Sequence, residues 1–379
     1  MKNIMKGLII FFSVLLITLL GLMTYALVNG SDELPLIGGI YSNLAEAKLI
    51  NTQTISPEGA ENIKIKNSSY DIIFMDSDSE EIVVKEYSSK SKQKSFVTVD
   101  KSGNTLNITS NKKNVRSWFV LRSNYAYYEV YLPASYKDAV DIETSSGDFS
   151  AETNLEFSDF NVNSSSGYVN LNNLRAGNIY IKTSSGDIRT EYLDGPAELS
   201  SSSGYIEIGD VAGDIKIRTS SGDVDTGQID GTVDISCTSG YVTVAGGGDT
   251  QIQTSSGDIG IENITGRLNI KTSSGYVEAE DIEGGGVLTS TSGDIRIDFT
   301  ALTENLQIET SSGYVYCKIP QDTSFKFQAN TSSGDINTDF DDALGYNKKG
   351  NAASGQIGSL SDYKVTINTS SGDVNMSYR

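Results

Sequence analysis

The chain has 379 residues, with 49 acidic and 29 basic side chains, five prolines, two cysteines and no histidine. Without histidine there is no Ser-His or Cys-His nucleophile pair, and the commonest general base is missing. A net charge of −20 repels nucleic acid, so no nucleic-acid partner is expected.

Residues 1–6 read as a short cytoplasmic tail carrying Lys2 and Lys6, and 7–28 form an uncharged apolar run. As a helix that run would reach ~33 Å, enough for a bilayer core. It lacks a clean small-x-small cleavage site, so it reads as a retained transmembrane anchor rather than a signal peptide. The two lysines before it, against Asp32 and Glu33 after it, predict a single-pass cell-membrane protein. Its amino terminus would lie inside, its partner through 7–28 would be membrane lipid, and the remainder would be extracytoplasmic.

A linker is expected over 29–60 and a β-rich N-terminal cap over 61–140. Within the cap, "NIKIKN", "YDIIFM", "EEIVVKEY", "SFVTVD", "TLNITS" and "YAYYEVYLP" alternate apolar with polar residues and read as antiparallel strands. They would cover the open edge at the start of the repeats beyond residue 140.

Residues 141–379 repeat themselves. The turn Ser-Ser-Gly, or a close variant, places glycines at 147, 167, 186, 204, 222, 240, 257, 275, 293, 313, 334 and 372. Ser354-Gly355 stands where a worn copy would fall. The residue after each glycine alternates Asp148, Tyr168, Asp187, Tyr205, Asp223, Tyr241, Asp258, Tyr276, Asp294, Tyr314, Asp335, Gln356, Asp373, with Gln356 read as a lapsed tyrosine. The next residue is apolar in every copy, and a second alternation such as Ile215-Lys216-Ile217 precedes each turn. Each copy therefore offers two short strands with one buried face. The fold class is all-β, a parallel β-solenoid of about 12–13 two-strand rungs. At ~4.8 Å per rung it would be a rod on the order of 60 Å long. An antiparallel sandwich of the same hairpins is the competing topology. The last rung needs a cap, from about 340–363, from a partner, or from nothing.

Cys237 falls in the column of Thr183, Thr219 and Thr254, and Cys317 in that of Val244, Ile261 and Ile297. Four rungs, ~19 Å, separate them, too far for a disulfide. Both are expected as buried free thiols.

No catalytic or metal-ligand constellation emerges, and no cofactor is expected. The cation-binding reading, an acidic β-roll, rests on the repeated Gly-Asp turns, but these lack a second oxygen ligand at fixed spacing. The alternation itself has two readings. Tyrosines between aspartates would space the carboxylates of an acidic ladder. Alternatively, Tyr168, Tyr205, Tyr241, Tyr276 and Tyr314, with Asp187, Asp223, Asp258 and Asp294, form a column whose ~9.6 Å period suits a β-linked disaccharide. Rings would stack on sugars and acids bond their hydroxyls. The Ser-Ser pairs read as turn chemistry.

"YLPASYKDAVDIETSSGDF" at 131–149, with "IKTSSGDI", "IRTSSGDV", "IQTSSGDI" and "INTSSGDV", resembles the bacterial putative-adhesin family of β-strand-repeat proteins. The resemblance spans about 60–379. It implies a membrane-anchored envelope protein that presents a non-catalytic binding surface to cell-wall glycan or another surface ligand. It also implies an alternative role, a structural or accessory one in envelope-stress signalling with a membrane-protein partner.

Overall fold

The computed structural model describes residues 47–379 apart from 91–92, 111–124 and 360. The expected anchor at 7–28 lies outside the described residues. The single-pass membrane localisation is corrected: among the described residues no helix is long and apolar enough to cross a membrane. Apart from one 3-10 turn at Asp341–Ala343, the described elements are β-strands.

The repeat stacks in parallel, in two ladders. Strands that come after the turns pair in sequence, with Ile188, Ile206, Val224, Val242, Ile259 and Val277 directly above one another. Strands that precede the turns do the same, as in Ile217, Ile235, Ile252 and Ile270. Long strands such as Val169–Lys182 and Ile295–Thr310 run from one ladder into the other. All of these column residues are buried. The solenoid thus replaces the sandwich, because equal copies laid in register give every inward side chain an apolar neighbour above and below.

The region expected to be an antiparallel cap is only partly antiparallel. Lys48–Ile55 pairs antiparallel with Ile82–Ser88, Ile82–Ser88 with Ala126–Pro133, and Val97–Ser102 with Thr105–Ser110. Asn62–Asn67 and Asp71–Ser77, however, form a rung that lies parallel beneath 139–144 and 149–151. Thr105–Ser110 and Ala126–Pro133 form another rung beneath that one. The reason is local: "NSSYD" at 67–71 is the same turn with Tyr70 at the glycine position, so the solenoid begins before its first glycine. Buried Glu86 fastens the outer strands. It accepts hydrogen bonds from the side chains of Asn51, Gln53 and Ser95 and from the backbone N–H of Phe96 and Val97.

At the other end the chain doubles back. The strand pair Lys364–Thr369 and Val374–Tyr378 inserts between 306–310/315–319 on one side and 326–331/336–338 on the other. Ala352–Ile357 then pairs antiparallel with Phe325–Thr331 and is itself covered by Leu344–Tyr346. The 340–363 loop therefore caps one ladder. Gln356 is not a worn member of the column. It lies in this antiparallel strand, its amide bonded to the carbonyls of Phe325, Ile357 and Ser359.

Cys237 pairs beside Thr219 and Cys317 beside Ile297, and both are buried and free. Burial pushes both thiols up, strongly so for Cys317, so neither is ionised near neutrality. Native protein should resist a thiol reagent, and denatured protein should take up two equivalents without reductant. A requirement for prior reduction would contradict the four-rung separation.

Candidate functional site

The turn edge is built by three sets of hydrogen bonds. First, in four successive copies the buried hydroxyl that opens the turn accepts the glycine N–H three residues on, at Ser164–Gly167 (2.8 Å), Thr183–Gly186 (3.0 Å), Ser201–Gly204 (2.8 Å) and Thr219–Gly222 (3.0 Å). In these copies the residue before the Ser-Ser pair performs the turn chemistry expected of the pair. Second, the second serine of each pair donates its backbone N–H to the carbonyl of the first serine one rung below, as in Ser203 to Ser184 and Ser221 to Ser202. The serine side chains themselves face out. Third, the aspartate Oδ1 accepts the backbone N–H of the tyrosine one rung on. The distances are 2.9 Å for Asp148–Tyr168 and Asp187–Tyr205, 2.8 Å for Asp223–Tyr241 and Asp258–Tyr276, and 2.9 Å for Asp294–Tyr314.

Glycine is required here by closeness. A Cβ on Gly222 would lie 1.9 Å from the carbonyl oxygen of Gly204, and one on Gly204 would lie 2.0 Å from that of Gly186.

This geometry gives the aspartates a role that spacing alone did not reveal. Each aspartate clips the next rung, and a phenol on the same Cβ cannot. In space the order continues Tyr314, Asp373, Asp335, because Gly372 stacks on Gly313 and Gly334 on Gly372. Aspartates are neighbours at the two ends, where Asp71 accepts the N–H of Asp148 and Asp373 that of Asp335. Burial raises the Asp148 carboxyl above its ordinary value, the Tyr168 N–H opposes this, and the adjacent Asp71 charge adds to the rise. Repulsion between neighbours is therefore also present.

The nine residues singled out from sequence do line one edge, but they are not equivalent. Asp187, Asp223, Asp258 and Asp294 each commit one oxygen to the backbone. Tyr241, Tyr168 and Tyr314 are 62%, 54% and 46% exposed. Tyr205 and Tyr276 are half-buried, with hydroxyls directed at Asp225 (3.3 Å) and Glu278 (3.4 Å). Burial, then those carboxylates, raise both phenols above the usual range. Tyr316, two residues beyond Tyr314 on the strand Val315–Ile319, adds a further exposed ring 6.4 Å from it. It escapes a reading by columns because it breaks the column pattern.

A second aromatic group was visible only as a strand. Tyr87 and Tyr127 stack at 4.8 Å with Tyr125 tilted beside them, and Lys85 caps the Tyr131 ring at 3.9 Å. These rings are occupied by one another. Among the described residues no group of three or more acidic or cysteine side chains is placed to hold a metal ion.

The family model described as Toastrack DUF4097 matches residues 60–249 and 245–377, nearly the whole described chain. The chain belongs to the Toastrack DUF4097 family. No curated protein matches it. Among solved structures, this Toastrack chain is similar to a putative cell adhesion protein of Clostridium sporogenes (10% identity, TM-score 0.22, 88% of this chain and 100% of that one). It is also similar to a putative adhesin of Bacteroides fragilis (18%, TM-score 0.38, 62% and 97%). A third is a putative lipid binding protein of Parabacteroides distasonis (15%, TM-score 0.34, 70% and 93%).

Proposed function

We propose that the chain is a non-catalytic binding protein whose turn edge takes an extended β-linked glycan, such as a cell-wall glycan, along the rod axis. The observation that carries this reading is the set of open rings. Tyr168, Tyr241 and Tyr314 recur every four rungs, ~19 Å apart, on a backbone whose aspartate clips fix their spacing. Exposed phenol rings with serine hydroxyls and free carboxylate oxygens beside them suit the faces and rims of sugar rings. Tyr205 and Tyr276, turned onto Asp225 and Glu278, belong to the rod rather than to the ligand.

The test is the triple variant Tyr168→Gln, Tyr241→Gln, Tyr314→Gln, against the double Tyr205→Gln, Tyr276→Gln. Both keep every backbone N–H that an aspartate clips, so both should fold. Each ring contributes about 0.5–1.5 kcal/mol by stacking, so the triple variant should bind purified wall glycan one to three orders of magnitude more weakly. The double variant should bind as the parent does. If the triple variant binds wall glycan, teichoic acid and whole cells unchanged, the column is a structural ladder and not a binding surface.

A further inference from the structure

The copy from Gly240 to Gly257 is one residue shorter than the copies on either side of it, and it contains Gly246-Gly247-Gly248. Four residues join Gln228 to Val233 in the rung below, but only three join Gly246 to Thr250, although Gln228 pairs with Gly246 and Val233 with Thr250. Gly247 bridges to Ile264, in a column where the rung below places Ile229, and a Cβ on Gly247 would lie 2.9 Å from Val233 Cγ2. Just beyond this corner in the chain, an open groove of about 300 Å³ lies across the strands 233–237, 250–253 and 265–271, at the small end of ligand-site volumes.

Its floor is Val233 and Thr250, and its walls include Asp234, Asp249, Gln251, Arg267 and Asn269. The walls are held in place. Asp249 Oδ1 accepts the Arg267 backbone N–H at 2.8 Å, the Asn269 amide donates to Gln251 Oε1 at 3.3 Å, and the Arg267 guanidinium lies 3.6 Å from Glu304. Two carboxylates disfavour an anion, and the guanidinium disfavours a cation. Asp234 lies 3.9 Å from the Lys216 ammonium as Arg267 lies by Glu304, so two of the three carboxylates are offset. Carboxylate, amide and guanidinium side by side offer both acceptors and donors. That donor set matches vicinal hydroxyls. We propose that this groove is a neutral-sugar subsite, addressed by Asp234, Gln251 and Asn269 on three successive rungs. It lies about one strand, ~16 Å, from the turn edge, and stands whether or not the tyrosine column binds.

The experiment is amide-resolved NMR of the described domain within the full chain, titrated with methyl glycosides of glucose, galactose and N-acetylglucosamine. One of these should shift the amides of 232–234, 249–251 and 267–269 with millimolar affinity, as expected for so small a ligand. The exposed double variant Gln251→Ala, Asn269→Ala should weaken that binding tenfold or more. The Tyr168/Tyr241/Tyr314 glutamine variant should leave it unchanged, which separates this site from the column. Absence of shifts with all three glycosides, shifts that persist in the double variant, or the same shifts on adding calcium alone would each overturn the proposal.

Discussion

Ile259→Asp should destabilise the rod by about 3–5 kcal/mol, because it leaves an unpaired carboxylate between packed strands. Ile259 is 1% exposed and sits between Val242 and Val277 in the post-turn ladder. No basic side chain belongs to that column, so the new acid must either stay charged and unpaired or take up a proton. In a stack where each rung touches only its neighbours, the loss falls on both interfaces of one rung. Melting should therefore split, with amide exchange accelerating first around 242–277. Glu262→Lys, three residues on and exposed, should shift the melting temperature little. Equal shifts for the two variants would mean that the inward and outward assignment is reversed.

That assignment was legible from the sequence because a strand has a period of two and every copy obeys it. The cysteine columns came from the same register, with Cys237 beside Thr219 and Cys317 beside Ile297. The role of the aspartates was only half legible. Their recurrence at every second copy was plain, but a carboxylate that points outward can still reach the next rung's amide. Only the 2.8–2.9 Å distances reveal that it does. The openness of Tyr168, Tyr241 and Tyr314 against Tyr205 and Tyr276 depended on neighbours two residues beyond the motif, such as Glu278, and so escaped a reading by columns. The order of rungs at the two ends was not legible at all. Copies that share one edge chemistry can stack on any other copy, so sequence order does not fix spatial order. Tyr70 in the glycine position hid the early rung, and the Ser354-Gly355 resemblance suggested a rung where an antiparallel cap strand lies. The groove lined by Asp234, Gln251 and Asn269 left no mark in the sequence beyond a neighbouring copy one residue short.

The inserted rung makes the last and largest prediction. Removing residues 364–379 takes out Val365, Ile367, Val374 and Met376, all buried, each contributing about 1.5–3 kcal/mol by burial. It also removes the layer that joins Phe325–Thr338 to the body of the rod. Once it is gone, the strands 306–310 and 315–319 present bare edges, and among the described residues 320–363 keeps no strand pairing to the body of the rod. Arg379 is lost with it, and with it the ion pairs to Asp281 and Asp298 and the backbone bond to the Ile319 carbonyl. Limited proteolysis with mass spectrometry should then find 320–363 cut rapidly and the rungs before 306 still protected. A synthetic peptide of residues 364–379, added in trans, should restore protection of 320–363, because the slot it fills is defined on both sides by ladders of fixed register. Protection of 320–363 in the truncated chain without peptide would mean that this segment stacks directly on 306–319. Spatial order would then match chain order, and Asp373 would no longer stand between Tyr314 and Asp335.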